Sequence, residues 1–284
     1  VPRAVLLIGC GYVGLPLALE LQARGEEVTG WVRSEASAAE LRAQGLARLV
    51  IGNVADEDCW RGLADRFDAV IHGASSGGGD AEVYREVFLH GVRFMNRHQP
   101  QARRLFISST SVYGQIGEEW VDEQSVAEPS SATSRVLREA EEEALEAGTI
   151  VVRPSGIYGP GRAALFEKFK RGDAVLEGDG TRWINQIHQL DLVAALSSLL
   201  DVGVPGEIYN ASDNEPVTLR DYYTWCSQAL HLPMPPYGPV NPQRKRGLTN
   251  KRVRNDKLRA TAWHARFPTF REGLAERVKA VGDG

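Results

Sequence analysis

Gly9-Cys10-Gly11-Tyr12-Val13-Gly14 is the stretch of this chain whose residue types and spacing best suit chemistry. Glycine at the first, third and sixth positions suits a loop that holds a diphosphate. Gly9 permits a tight turn, Gly11 lets main chain approach a pyrophosphate, and Gly14 allows a helix to pack closely on the preceding strand. A helix opening there, behind Tyr12 and Val13, presents free N–H groups and a partial positive charge. The plainer alternative is a tight turn in a sheet protein that has lost its ligand. A second feature is Arg33, followed by Ser34, where a dinucleotide site for NAD carries Asp or Glu against the ribose hydroxyls. A guanidinium there suits a 2′-phosphate, so NADP is favoured over NAD. A solvated loop charge is the bland reading.

These residues need elements to position them. Val5 to Ile8 reads as a buried parallel strand, Gly14 to Arg24 as a helix stopped by Gly25, and Val28 to Val32 as the next strand. Helix and strand then alternate. Helices are expected at Ala38 to Gln44, Cys59 to Arg66, Ala81 to Arg97 and Ser134 to Ala147. Strands are expected at Leu49 to Ile51, Ala69 to His72, Leu105 to Ser108 and Thr149 to Arg153. This regularity implies an α/β fold, a Rossmann-type doubly wound parallel sheet. Beyond Pro154, glycine and proline become dense. Residues 1–154 are therefore expected as an NAD(P)-binding domain, and 155–284 as a smaller α+β substrate region partly returning to the first.

Composition excludes several classes. A net charge of −4 gives no global attraction to nucleic acid or acidic lipid. Cys10, Cys59 and Cys226 share no metal-ligand spacing, and their odd number argues against a disulfide framework, so a reducing cytoplasmic setting is expected. The apolar run Ala4 to Ile8 is too short to span a membrane. The expected partner is a small molecule, with neither nucleic acid nor membrane.

With these residues placed, the chain resembles the extended short-chain dehydrogenase/reductases of the epimerase/dehydratase type, nearly end to end. Gly52-Asn53-Val54 resembles the family's G-D-V, where the acid or amide meets adenine, and His72-Gly73-Ala74 resembles its H-x-A. Ser108-Ser109-Thr110-Ser111-Val112-Tyr113-Gly114 resembles S-S-x-x-V-Y-G. The run from Arg153-Pro154-Ser155 to Tyr158-Gly159-Pro160-Gly161 resembles R-P-x-x-x-Y-G-P-G, and Ile187-His188-Gln189-Leu190-Asp191 resembles I-H-V-D-D. The resemblance implies a cofactor site at Gly9, Gly11, Tyr12, Val13, Gly14, Arg33, Asn53, Val54, Gly73, Ala74 and Pro154.

The resemblance also implies hydride transfer run by a tyrosine and a lysine four residues apart, with a serine polarising the substrate oxygen and an asparagine upstream. Ser109 stands in the serine position. Taking Glu141 as the end of Y-x-x-x-K-x-x-x-E puts Thr133 in the tyrosine position and Leu137 in the lysine position, and the asparagine position falls on Phe88. One position in four is kept. Thr133, Tyr113, Tyr84 and Ser134 are hydroxyls left to act as acids, although Thr133 also reads as the N-cap of the following helix and Tyr113 as a packed turn residue. Arg135 and Arg138 read as surface partners of Glu139, Glu141 and Glu142.

For substrate, Gly178-Asp179-Gly180-Thr181 resembles the family's G-D-G-T, but the diphosphate-clamping arginine that should follow is Ile184. Arg182 shares its strand face and is the substitute; an exposed strand-end charge is the alternative. Ser109, Ser155 and Arg182 are thus the expected substrate contacts. Gln243 to Arg259 holds eight basic residues and one acid, without interleaved aromatics to stack bases, and reads as a cleft wall or a solvated face. His188 reads as part of a turn, since no second ligand has metal spacing to it. Two functions follow: an atypical oxidoreductase or epimerase on a small polar or nucleotide-linked substrate, or a cofactor-binding sensor without turnover. A homodimer through the helices near 81–97 and 134–147 is a further expectation of the resemblance.

Overall fold

The computed structural model describes residues 1–63, 66–240, 247 and 249–282. Five strands come from the first half, β1 (Ala4–Ile8), β2 (Glu27–Val32), β3 (Leu49–Ile51), β4 (Ala69–His72) and β5 (Arg103–Ile107). Ile150–Pro154 and Ile208–Ala211 complete one seven-stranded parallel sheet. Its order is 208–211, 150–154, β5, β4, β1, β2, β3, so the direction of winding reverses between β1 and β4. A doubly wound sheet opens a crevice at that reversal, outside the carboxyl ends of the strands. The glycine loop follows β1 directly and sits there.

Side chains alternate across the sheet, which is why β1 is apolar throughout. Leu7 packs with Leu17 and Leu21 of α1 (Gly14–Ala23) and with Leu192 and Leu196. Leu6 and Ile8 face the other way, towards Phe106, Val92, Met95 and Val136. A third apolar cluster, centred on Tyr158, Phe166, Phe169, Tyr222 and Phe270, lies wholly after residue 155. The return to the sheet comes through strand Ile208–Ala211 and helix Gln189–Val202, whose Leu192 and Leu196 share a core with α1.

Several boundaries differ from expectation for local reasons. The second helix, α2 (Glu35–Ala43), begins earlier because Ser34 Oγ accepts the Ser37 N–H at 3.3 Å. The third, α3 (Glu57–Arg61), is shorter at its C-terminal end, and part of the expected span lies outside the described residues. The helix at 81–97 is three pieces: α4 (Ala81–Tyr84), a π-helical turn over Arg85–His90, and α5 (Gly91–His98). The wider turn lets the Val87 carbonyl meet His72 Nε2 at 3.0 Å. Gly91 makes room, since a Cβ there would stand 2.3 Å from that nitrogen.

His72 is fully buried, and desolvation pushes its pKa down from 6.5 to about 4. The unfolded chain therefore takes up this proton near pH 6.5 and the folded chain only near pH 4. The stability His72 contributes is complete above pH 6.5 and declines as pH falls towards 4. Urea unfolding of the native chain and His72→Asn across that window should show their difference shrinking by at most about 1.4 kcal/mol per pH unit. A difference that stays flat would remove His72 from the acid response.

Candidate cofactor cleft and catalytic turn

The glycine loop is tightly packed at both ends and open in its middle. Gly9 has φ +91°, and a Cβ on it would lie 2.5 Å from the Ala74 Cα. A Cβ on Gly14 would lie 2.1 Å from the Gly9 carbonyl oxygen. Neither position tolerates another residue. At Gly11 a Cβ would meet nothing within 4 Å, so this stretch of main chain faces open space. Helix α1 starts behind it with no side-chain cap and no acid in its first turn. The Gly11, Tyr12 and Val13 N–H groups donate to no protein acceptor among the described residues. Uncapped donors at a helix N-terminus are what an anionic group needs. Cys10 is not a nucleophile, because burial pushes its thiol up to about 12.

The other expected cofactor residues ring this loop at the carboxyl ends of their strands. Arg33 ends β2, exposed and without an ion pair among the described residues. Asn53 follows β3, exposed, with its Oδ1 accepting the Ala55 N–H at 3.1 Å. Val54 is buried behind it and accepts the Trp60 indole N–H at 2.9 Å. Gly73 donates to the Ile8 carbonyl at 2.9 Å, holding Gly73 and Ala74 against Gly9. Pro154 ends its strand on the same rim, and its carbonyl accepts Thr110 Oγ1 at 3.4 Å.

Ser109 follows β5 and opens a tight 3-10 turn over Thr110–Val112. Its Oγ accepts the Ser111 N–H at 3.1 Å, so its own proton is available to donate. Ser134 and Ser111 are joined hydroxyl to hydroxyl at 3.0 Å. That serine pair was not singled out as a site from the sequence, because the two residues are 23 apart and only the packing of α6 (Ala132–Glu146) on the turn joins them.

Residues 5–212 match the NAD-dependent epimerase/dehydratase family. The chain belongs to this family. It is 30% identical to Protein YeeZ of Escherichia coli K12 over 83% of this chain and 86% of that one. It is 27% identical to the dTDP-4-dehydro-6-deoxy-D-allose reductase of Streptomyces bikiniensis, over 81% and 82% of the two chains. A solved NAD-dependent epimerase/dehydratase-type structure from Methylobacillus flagellatus superposes with a TM-score of 0.80 at 26% identity, covering 99% of this chain and all of that one.

As an epimerase/dehydratase family member the chain is unusual where the acid–base groups belong. Leu137 is 5% exposed and packs in the core with Val112 and Val136. Phe88 is buried in the π-helical turn, edge-on to Tyr84 at 5.0 Å. Thr133 is not the N-cap. Ser131 is, accepting the Ser134 N–H at 3.2 Å, so α6 starts two residues earlier than expected and Thr133 lies half-buried in its first turn. Tyr113 is fully buried with its hydroxyl donating to Asn210 Oδ1 at 2.9 Å, which commits it to the interior and removes it as an acid. Arg138 does pair with Glu142, at 3.2 Å, and reaches the buried Glu141 at 3.5 Å, but Arg135 donates to the Ser130 carbonyl instead.

The expected substrate residues fare unevenly. Ser155 is buried, its hydroxyl on Ser212 Oγ at 3.1 Å, so it faces inward rather than to a substrate. Arg182 is half-buried, and its charge acts on Tyr223 of the third cluster. His188 Nδ1 accepts the Leu190 N–H at 3.2 Å as the cap of helix Gln189–Val202, which is a turn role. No metal-holding group of His, Cys, Asp or Glu occurs among the described residues, and no helix is long and apolar enough to cross a membrane.

The basic segment is partly interior. Gln243 to Arg246 and Leu248 lie outside the described residues. Lys251 is buried, donating to the Tyr113 carbonyl at 3.0 Å and to Thr249 Oγ1, and burial lowers its pKa to about 8. Asn255 is buried too, clasping the Ser212 carbonyl at 2.8 Å. Aromatics arrive from elsewhere in the chain: Arg252 lies 4.9 Å from the Trp120 ring and 5.0 Å from that of Trp183.

Proposed function

We propose that this chain binds NAD(P) on the glycine loop and acts as an atypical oxidoreductase or epimerase on a small polar or nucleotide-linked substrate. The uncapped N-terminus of α1 behind the open main chain at Gly11 carries this reading. The free guanidinium of Arg33 favours NADP over NAD. The name of the Streptomyces relative, a reductase of a dTDP-linked deoxysugar, supports a nucleotide-linked substrate.

The bound cofactor supplies or accepts the hydride. Ser109 Oγ, anchored by the Ser111 N–H, would donate a hydrogen bond to the substrate oxygen on which charge develops, with water supplying or taking the proton. Calorimetric titration with NAD⁺, NADH, NADP⁺ and NADPH tests the cofactor. Binding of none of the four would end the proposal. Ser109→Ala should leave the dinucleotide Kd unchanged and lower turnover about 10²- to 10³-fold. An unaltered turnover would take Ser109 out of the mechanism.

The apolar residues at the lysine and asparagine positions support a second reading, a cofactor-binding sensor without turnover. It is distinguished by finding dinucleotide binding but no cofactor consumption across a panel of carbonyl compounds and nucleotide sugars.

A further inference from the structure

The loop after Tyr158 comes to the glycine loop from the other side of the cleft. Gly159-Pro160-Gly161-Arg162 closes on itself, with Gly159 N donating to Arg162 O at 2.8 Å and Arg162 N to Gly159 O at 3.0 Å. Proline second and a glycine with φ +71° third are the residues a type II turn requires. Behind it, Arg277 donates to the Gly159 carbonyl at 2.9 Å and pairs with Glu167 at 2.8 Å. That anchor arginine is neutralised.

Arg162 is not. It leaves the turn exposed, has no carboxylate partner among the described residues, and lays its guanidinium 5.2 Å from the centre of the Tyr12 ring. Tyr12 is a fixed platform. Its carbonyl accepts Gln189 Nε2, and its hydroxyl is buried without a partner where a Cβ on Gly159 would come within 3.0 Å. A full positive charge is thus held against the side chain of a glycine-loop residue.

We propose that Arg162 closes over the pyrophosphate of a dinucleotide bound on the glycine loop, a role that rests on the cofactor reading above. The helix N-terminus supplies only partial charge from below, whereas a diphosphate carries two full negative charges. Arg33, at the end of β2, belongs to the adenosine end in this reading. A guanidinium matches two phosphate oxygens with parallel N–H donors, and its stacking on Tyr12 reduces the ordering cost of binding.

The test is calorimetry of the native chain, Arg162→Gln and Arg162→Lys with NAD⁺, NADP⁺ and adenosine at low and moderate salt, with melting curves to confirm folding. Arg162→Gln should weaken both dinucleotides about ten- to a hundred-fold and flatten their salt dependence, leaving adenosine unchanged. Arg162→Lys should recover part of the loss. Native binding of the dinucleotides with no change in Arg162→Gln would overturn the clamp and leave the cofactor reading standing. An Arg162→Gln effect confined to the KM of a substrate would overturn it as well. Failure of the native chain to bind any dinucleotide would instead end the cofactor reading itself.

Discussion

Glu141→Gln should cost about 3–5 kcal/mol of folding stability, far more than any surface ion pair of this chain. Glu141 is fully buried and accepts three short hydrogen bonds, from Arg153 Nε at 2.8 Å, Arg153 Nη2 at 2.6 Å and Ser108 Oγ at 2.6 Å. Burial alone would lower the Arg153 pKa, but the Glu141 carboxylate outweighs it and holds it above its ordinary value. A neutral amide in place of Glu141 leaves a buried guanidinium with no counter-charge, lying 4.7 Å from the centre of the Tyr113 ring. Urea unfolding at pH 7 measures the cost. By contrast, exposed pairs such as Arg93–Glu143 should contribute less than about 1 kcal/mol when removed. The double variant Glu141→Leu/Arg153→Met should recover most of the loss, since replacing both leaves no orphan charge and only the Ser108 hydroxyl without its acceptor. A loss below about 1 kcal/mol in Glu141→Gln would show that α6 is not fastened to the sheet through this pair.

That pair also explains what the sequence could and could not disclose. Glu141 is the residue from which the sequence reading counts positions along α6, and the structure places it and Leu137, one turn earlier, on the same buried face. The glycine loop was legible because its constraints are local: each glycine answers to atoms within the same strand–loop–helix unit or the adjoining β4 loop. The starting points of α2 and α6 were not, because Ser34 and Ser131 sit among other residues able to cap and only the main-chain path selects one. The π-helical turn was hidden for a different reason. It accommodates His72, a residue on a strand, and a helical periodicity does not record what a neighbouring strand demands. Arg162 on Tyr12 and Arg252 beside Trp120 were invisible for the same reason: each joins segments more than a hundred residues apart.

The deepest departure concerns Leu137, and it yields the other large expected effect. Leu137→Lys, which restores the family's residue, should destabilise the cofactor-free chain by about 2–4 kcal/mol rather than repair catalysis. Where the family places an ammonium group, this chain has a core of Leu137, Val112, Val136 and Phe88. The substitution removes an apolar side chain from that core and introduces a charge whose nearest acid on α6, Glu141 one turn on, is already taken by Arg153 and Ser108. The new lysine would have a folded-state pKa depressed below the unfolded value of about 10.4, so its cost is fullest at neutral pH and shrinks as pH rises towards that value. Urea unfolding at pH 7 and pH 9.5, paired with the native chain at each, reads this directly. A cost that is the same at both pH values would show that the ammonium reaches water through the cleft. Adding Thr133→Tyr should not raise turnover above that of the native chain, because Phe88 still occupies the position read as the family's asparagine. The surviving donor at the end of β5 is Ser109, and its proton is free because main chain, not a lysine, holds its oxygen. In the mechanism proposed above, chemistry on this scaffold runs through Ser109 and the bound cofactor, and the apolar core around Leu137 resists a single substitution towards a lysine.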